Sequence, residues 1–196
     1  MTLYQKVRSV ERLFKELDSQ VATFQAKSGL HCIPGCGKCC FKPDIEATIL
    51  ELLPLAYHFY KAGIIDEVYE KLKENNSGIC HIFVAVSPST GKGYCSEYPK
   101  RPLVCRLFGF SARKNRYGVN ELYTCRLIKK DQRKLFEEAS DEINGVTSVP
   151  MVAEYSHRLA SIDPTLGREY YPMNDAAKRA IEIVISYYAY RVYSRR

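Results

Sequence analysis

The sequence predicts a mostly α fold with some β structure (α+β). It expects one domain over residues 1–196, with helices around an irregular, cysteine-rich metal-binding centre that carries short β-hairpins. Three observations lead there. Apolar residues recur at spacings of three and four in both terminal regions, which is the helical period. All eight cysteines lie between Cys32 and Cys125. The middle of the chain is broken by glycine, proline and short β-branched runs, which read as turns and strands.

The elements follow in order. Leu3, Val7, Val10, Phe14, Leu17, Val21 and Phe24 form one apolar stripe, so residues 3–27 read as a helix ended by Gly29. The stripe packs on the chain's own core or, as the alternative, forms a coiled-coil seam. Residues 30–43, with Pro34, Gly35, Gly37 and Pro43, form a tight loop. Asp44 is the expected N-cap of a helix from Ile45 to about Lys61, kinked or split at Pro54 and stopped by Gly63. A short helix follows over 66–75. Residues 79–86 read as a strand, turned by 87–93 into a hairpin that returns through Gly93–Cys95. A second strand pair is expected at Arg106–Ser111 and Glu121–Cys125, around Asn115 and Gly118. The C-terminal region 129–196 reads as helices at 129–143, 150–161 and 174–193, the last with Ile181, Val184, Ile185, Tyr188 and Val192 on one face.

Composition narrows the function classes. With 196 residues, 46% of them hydrophobic, the chain can bury a core without staples. Its charged start, MTLYQKVRSVERLFKELDSQ, lacks the apolar region of a signal peptide, and no apolar run has the length of a membrane span. The expectation is a cytoplasmic protein without membrane contact, where clustered cysteines bind metal more often than they form disulfides. The net charge is +7, but no recognition fingerprint accompanies it, so nucleic acid is not expected as a partner. Metal is the partner the cysteines require, and a protein is the other class considered. No Ser/His/Asp or P-loop pattern marks a catalytic residue.

Thiolates bind soft and borderline metals, and their sulfurs must converge. Cys32-x-x-x-Cys36-x-x-Cys39-Cys40 allows this, because Gly35 and Gly37 let the backbone turn sharply and aim freed amides at sulfur. Cys80, Cys95, Cys105 and Cys125 complete the candidate ligands from separate segments. Eight sulfurs fill two four-ligand sites, or one with four to spare. His31 and His81 each adjoin a cysteine and are substitute donors. Four thiolates on Zn²⁺ or on a [4Fe–4S]²⁺ core leave a charge of minus two. Lys38, Arg101 and Arg106 stand near enough in sequence to offset it and lower the thiol pKa values.

At these residues the chain resembles the YkgJ-type cysteine-cluster family of zinc- or iron-chelating domains. The resemblance rests on Cys32-Ile-Pro-Gly-Cys36-Gly-Lys-Cys39-Cys40, on Cys80 and Cys95, and on Tyr98-Pro-Lys-Arg101-Pro102-Leu-Val-Cys105-Arg106, over residues 30–128. The family's usual first gap is two residues and here it is three. Glu51 matches an acidic position that such proteins often carry. The resemblance implies metal binding; some longer relatives resemble flagellin lysine N-methylases.

Three readings of function follow. One is an iron–sulfur protein in a structural, redox or accessory role. The second is a zinc protein whose surface binds a partner. The third is S-adenosylmethionine-dependent protein (lysine) methylation, or a part of such a system, since Cys32-x3-Cys36-x2-Cys39 matches the spacing of radical S-adenosylmethionine enzymes. That third reading lacks the strands of a (β/α) barrel and the glycine-rich strand–turn–helix of a conventional methyltransferase. One compact loop plus single scattered cysteines favours an iron–sulfur cluster over zinc, whose simple sites come as two paired Cys-x2–4-Cys motifs.

Overall fold

The computed structural model describes residues 1–87, 92–145 and 147–193, with side chains through Tyr190. The turn expected across 88–91 lies outside the described residues. Among the described residues the fold is mostly α, with three two-stranded antiparallel sheets. None of the described helices is long and apolar enough to cross a membrane. The chain divides into two compact units: residues 1–11, 35–102 and 159–196, and residues 12–34 and 103–158.

Helix α1 spans Leu3–Ser28 and ends at Gly29, whose φ is 69° and whose N–H bonds to Gln25 O at 2.9 Å. Leu3, Val7, Val10, Phe14, Leu17 and Phe24 are all buried in the chain itself, so the stripe serves a core.

In the first unit, α2 (Ile49–Ala62) packs against α9 (Met173–Tyr193). Leu50, Leu53 and Ala56 are buried on one, and Ala176, Ala177, Ala180, Ile181 and Val184 on the other. Small residues along α9 leave room for the leucines of α2. Helix α3 (Ile65–Glu74) joins them through the Tyr69 hydroxyl, which donates to Glu182 Oε1 at 2.7 Å. Pro54 neither splits nor ends α2. It is buried among leucines, and that packing offsets the backbone bond proline cannot make. Gly63 stops the helix as expected, at φ 74°.

The start of α2 departs from expectation. Asp44 is not its N-cap. Residues Glu46–Thr48 form strand β1, paired antiparallel with β6 (Tyr170–Pro172), and Met173 N–H bonds to Ile45 O at 2.9 Å. This distant partner holds 45–48 extended. Thr48 then caps α2 in a capping box: Glu51 N–H donates to Thr48 Oγ1 at 3.4 Å, and Thr48 N–H donates to Glu51 Oε1 at 2.6 Å. Glu51 is fully buried, and its carboxylate anchors this turn.

In the second unit, Phe24 and Leu30 share a core with Ala112, Leu122, Ile128, Ala139 and Ile143. Helix α4 (Leu103–Leu107) stands where the sequence expects a strand from Arg106. Leu103 and Leu107 are both buried, and a spacing of four places them on one helical face. The strand pair itself is β4 (Ser111–Lys114) with β5 (Asn120–Tyr123), turned at Asn115, whose Oδ1 accepts from Tyr117 N–H at 2.9 Å and Val119 N–H at 3.1 Å. The charged helix is two pieces, α5 (Arg126–Asp131) and α6 (Arg133–Glu142). Two further helices, α7 (Val152–Ile162) and α8 (Pro164–Gly167), precede β6.

Thr48→Ala should remove one capping bond and lower stability by about 1 kcal/mol, read as a lower urea midpoint. An unchanged midpoint would contradict the capping role.

Candidate metal centre

The first unit holds Cys36, Cys39, Cys40, Cys80 and Cys95; the second holds Cys32, Cys105 and Cys125. None of the eight is disulfide-bonded.

In the first unit, the loop 35–41 lies against a hairpin made of β2 (Phe83–Ser87) and β3 (Lys92–Cys95). Backbone bonds tie the two together. Gly93 N–H donates to Gly35 O at 3.2 Å, and Cys80 N–H donates to Cys40 O at 3.3 Å. Cys40 N–H closes the loop on Gly37 O at 2.9 Å. The approach is close enough to demand glycine on both sides. A Cβ on Gly37, whose φ is 61°, would stand 2.6 Å from the Phe83 ring, and one on Gly93 would stand 2.3 Å from Val84 O. Phe41 closes the seam edge-on to Phe83, with ring centroids 5.4 Å apart.

Within this seam the sulfurs of Cys39 and Cys40 are 4.0 Å apart. Cys39 is exposed at the surface, while Cys40, Cys80 and Cys95 are half-buried. The hydrogen bond with Cys40 holds the Cys39 thiol down to about 6, against the cost of burial; backbone N–H groups of Cys40 and Cys39 and the Arg101 charge add to the effect. Burial pushes Cys80 up to about 11, with the Cys95 and Cys39 charges adding to it and the Ile82 N–H opposing it. Cys95 is also raised, chiefly by burial, while the Glu97 N–H and Arg101 oppose the rise. Cys39, Cys80 and Cys95 therefore feel one another's charge, and Cys40 bonds to Cys39. One thiolate forms readily, and its neighbours are penalised for joining it. A bound cation reverses that penalty, so an all-thiol donor set of this kind fits a thiophilic metal. Backbone N–H groups already aimed at sulfur from Ile82 and Glu97 fit it too. Among the described residues, no three His, Cys, Asp or Glu side chains are drawn tightly enough together to grip an ion as they stand.

The other expected residues sort as follows. Arg101 lies over the Tyr98 ring at 3.6 Å, its Nε donates to Tyr98 O at 3.1 Å, and its charge acts on Cys39 and Cys95. Lys38 is exposed on the same loop. Arg106 belongs to the second unit, where it is 4% exposed, forms an ion pair with Asp18 and lies over the Phe14 ring at 4.5 Å. Its charge is met by a carboxylate there. Cys125 N-caps α5, its sulfur accepting from Ile128 N–H at 3.4 Å. Cys32 is exposed and Cys105 half-buried.

A family model described as "CxxCxxCC: Putative zinc- or iron-chelating domain" matches residues 31–137. The chain belongs to this family. The matched span is more than half the chain and includes all eight cysteines. No curated protein and no solved structure matched.

Asn174, outside the matched span, holds the segment that carries Cys80. Its Nδ2 donates to Ile79 O at 2.8 Å, and its Oδ1 accepts from His81 N–H at 3.0 Å, so the start of α9 clamps the segment that carries Cys80. The same oxygen lies 3.3 Å from His81 Nδ1, which assigns the proton to Nδ1. His81 Nε2 is sealed from solvent without a partner among the described residues, and burial holds this imidazole down to about 4, hence neutral. The only sequence signal for Asn174 was its place at a helix start.

Gly93→Ala should cost about 1–3 kcal/mol by overpacking and lower bound metal with it. Gly35→Ala meets nothing within 4 Å and has only its φ of 67° to oppose it, so it should cost about 1 kcal/mol and keep its metal. Thermal melts and metal analysis check both; equal behaviour would contradict the close-approach seam.

Proposed function

We propose that Cys39, Cys40, Cys80 and Cys95 are the thiolate ligands of one metal centre. The occupant is an iron–sulfur cluster, [4Fe–4S] by ligand count, in a structural, redox or accessory role. The observation that carries this is geometric: the Cys39 and Cys40 sulfurs are 4.0 Å apart on a loop whose backbone is bonded to the Cys80 segment and to the hairpin that ends in Cys95. Donation from single cysteines on separate segments, joined to one compact loop, supports a cluster over a simple zinc site. Cys36 is a further thiol of the same loop and an alternative fourth ligand. Cys32, Cys105 and Cys125 are not needed to complete the set. Arg101 offsets part of the residual negative charge. Thiol chemistry of this kind is compatible with a reducing cytoplasm.

Zinc is the second reading, and one distance favours it. Around a tetrahedral ion with Zn–S of about 2.3 Å, ligand sulfurs sit about 3.8 Å apart, close to the 4.0 Å between Cys39 and Cys40. The fold lends a methyl-transfer role no support, because its sheets are separate antiparallel pairs rather than a parallel βα sheet.

Protein purified anaerobically should be brown, absorb near ~400 nm and contain iron and sulfide. Colourless protein with one zinc per chain would replace the cluster with the second reading, and protein without stoichiometric metal would contradict both. Cys39→Ser and Cys80→Ser should each lose metal and melt at lower temperature, since metal binding is linked to folding. Full retention in both would remove them as ligands.

Arg101→Ala should move the pH at which metal is released upward. Without the guanidinium, Cys39 and Cys95 hold protons to higher pH, and protons compete with metal for sulfur. A pH titration of bound metal reads the midpoint; no shift would make Arg101 a bystander.

A further inference from the structure

The chain's charge of +7 is not spread evenly. Between Arg113 and Lys134, eight lysines and arginines stand against two carboxylates, Glu121 and Asp131, a net of +6. All eight cations are exposed, and all lie in the second unit. Arg133 and Lys134 pair with Glu137 and Glu138 one turn on, at 2.8 and 3.8 Å. The other six, Arg113, Lys114, Arg116, Arg126, Lys129 and Lys130, form no ion pair among the described residues.

Their placement is ordered. Arg126, Lys129 and Lys130 sit at i, i+3 and i+4, one face of α5. Gln132, at φ −123° and ψ 40°, separates α5 from α6, and Arg133 and Lys134 open the second helix directly after it. Ile128 is buried in the core on the opposite face, which turns the cations to solvent. In the hairpin that precedes α5, two guanidiniums lie beside aromatic rings. Arg116 is 4.6 Å from the ring of Tyr117, which is 72% exposed at the turn, and Arg113 is 5.8 Å from the Tyr123 ring.

We propose that this basic segment of the second unit binds single-stranded nucleic acid, with phosphates along the unpaired cations and a base stacked on Tyr117. Cations that follow a backbone, interleaved with an open aromatic ring, are what a single strand recognises. An anionic membrane fits less well, because an interfacial helix must present apolar residues to lipid, and Ile128 is committed to the core. A duplex groove fits less well, because α5 has only six residues. Total charge alone gives no reason to expect nucleic acid; its concentration in one segment that also carries an exposed tyrosine does. Neither a thiol nor a metal enters this inference.

The test is fluorescence anisotropy of the intact, metal-loaded chain with a fluorescein-labelled single-stranded RNA of about 20 nucleotides, over a range of KCl. Binding should weaken as salt rises, in log–log proportion to the phosphates neutralised. K129E/K130E should weaken it at least tenfold, and Tyr117→Ala severalfold with the salt slope unchanged. Both variants change exposed side chains, and circular dichroism checks that they fold. Absence of RNA binding overturns the proposal. So does capture by phosphatidylglycerol vesicles in place of RNA. Heparin binding as tightly as RNA, with Tyr117→Ala without effect, overturns it as well, because a polyanion without bases would then suffice.

Discussion

The close approach of the loop 35–41 to the β2–β3 hairpin is the constraint on which the site depends. Gly37 and Gly93 leave the Phe83 ring no room for a methyl group on either side. That absence lets Gly93 N–H reach Gly35 O and Cys80 N–H reach Cys40 O. The adjacent cysteines of the loop are thereby set beside Cys80, just before the hairpin, and Cys95, at its end. Asn174 fixes the far side of the Cys80 segment. Backbone contacts, rather than side chains gripping one another, thus place the sulfurs of the candidate site.

Electrostatics then decides what such a site can hold. Cys39 ionises easily, while Cys80 and Cys95 resist, because burial and a neighbouring thiolate both oppose their charge. Left without a cation, the group is frustrated: its geometry gathers thiols whose charges repel. A thiophilic cation converts the repulsion into attraction, and the free energy released adds to folding. Arg101, through its charge, also favours the thiolate forms of Cys39 and Cys95. It is anchored on Tyr98 through its ring contact and its bond to the carbonyl, so its charge stays in place.

Elements with strong local signals were legible in the residues. The stripe of α1, the αL stop at Gly63, the Asn115 turn and the cysteine loop all declare themselves through period or turn chemistry. Elements formed by distant partners were not. Strand β1 exists because β6 pairs with it, and three residues carry no period to read. The true cap of α2 was written in Thr48-Ile-Leu-Glu51, a capping box, but the nearer Asp44 offered a competing signal. Arg106 follows Cys105 in sequence, and its ion pair with Asp18 and its contact with the Phe14 ring depend on a helical turn that spacing does not encode. The division of the cysteines, five in one unit and three in the other, depends on tertiary contacts that spacing does not encode.

The most direct measurement of the central claim is X-ray absorption at the metal edge of the anaerobically purified protein. A first shell of sulfur around iron, with bound metal lost from the Cys39→Ser and Cys80→Ser proteins, is the predicted result. A first shell of nitrogen and oxygen, or a sulfur shell unchanged by both substitutions, would contradict the assignment of these thiols.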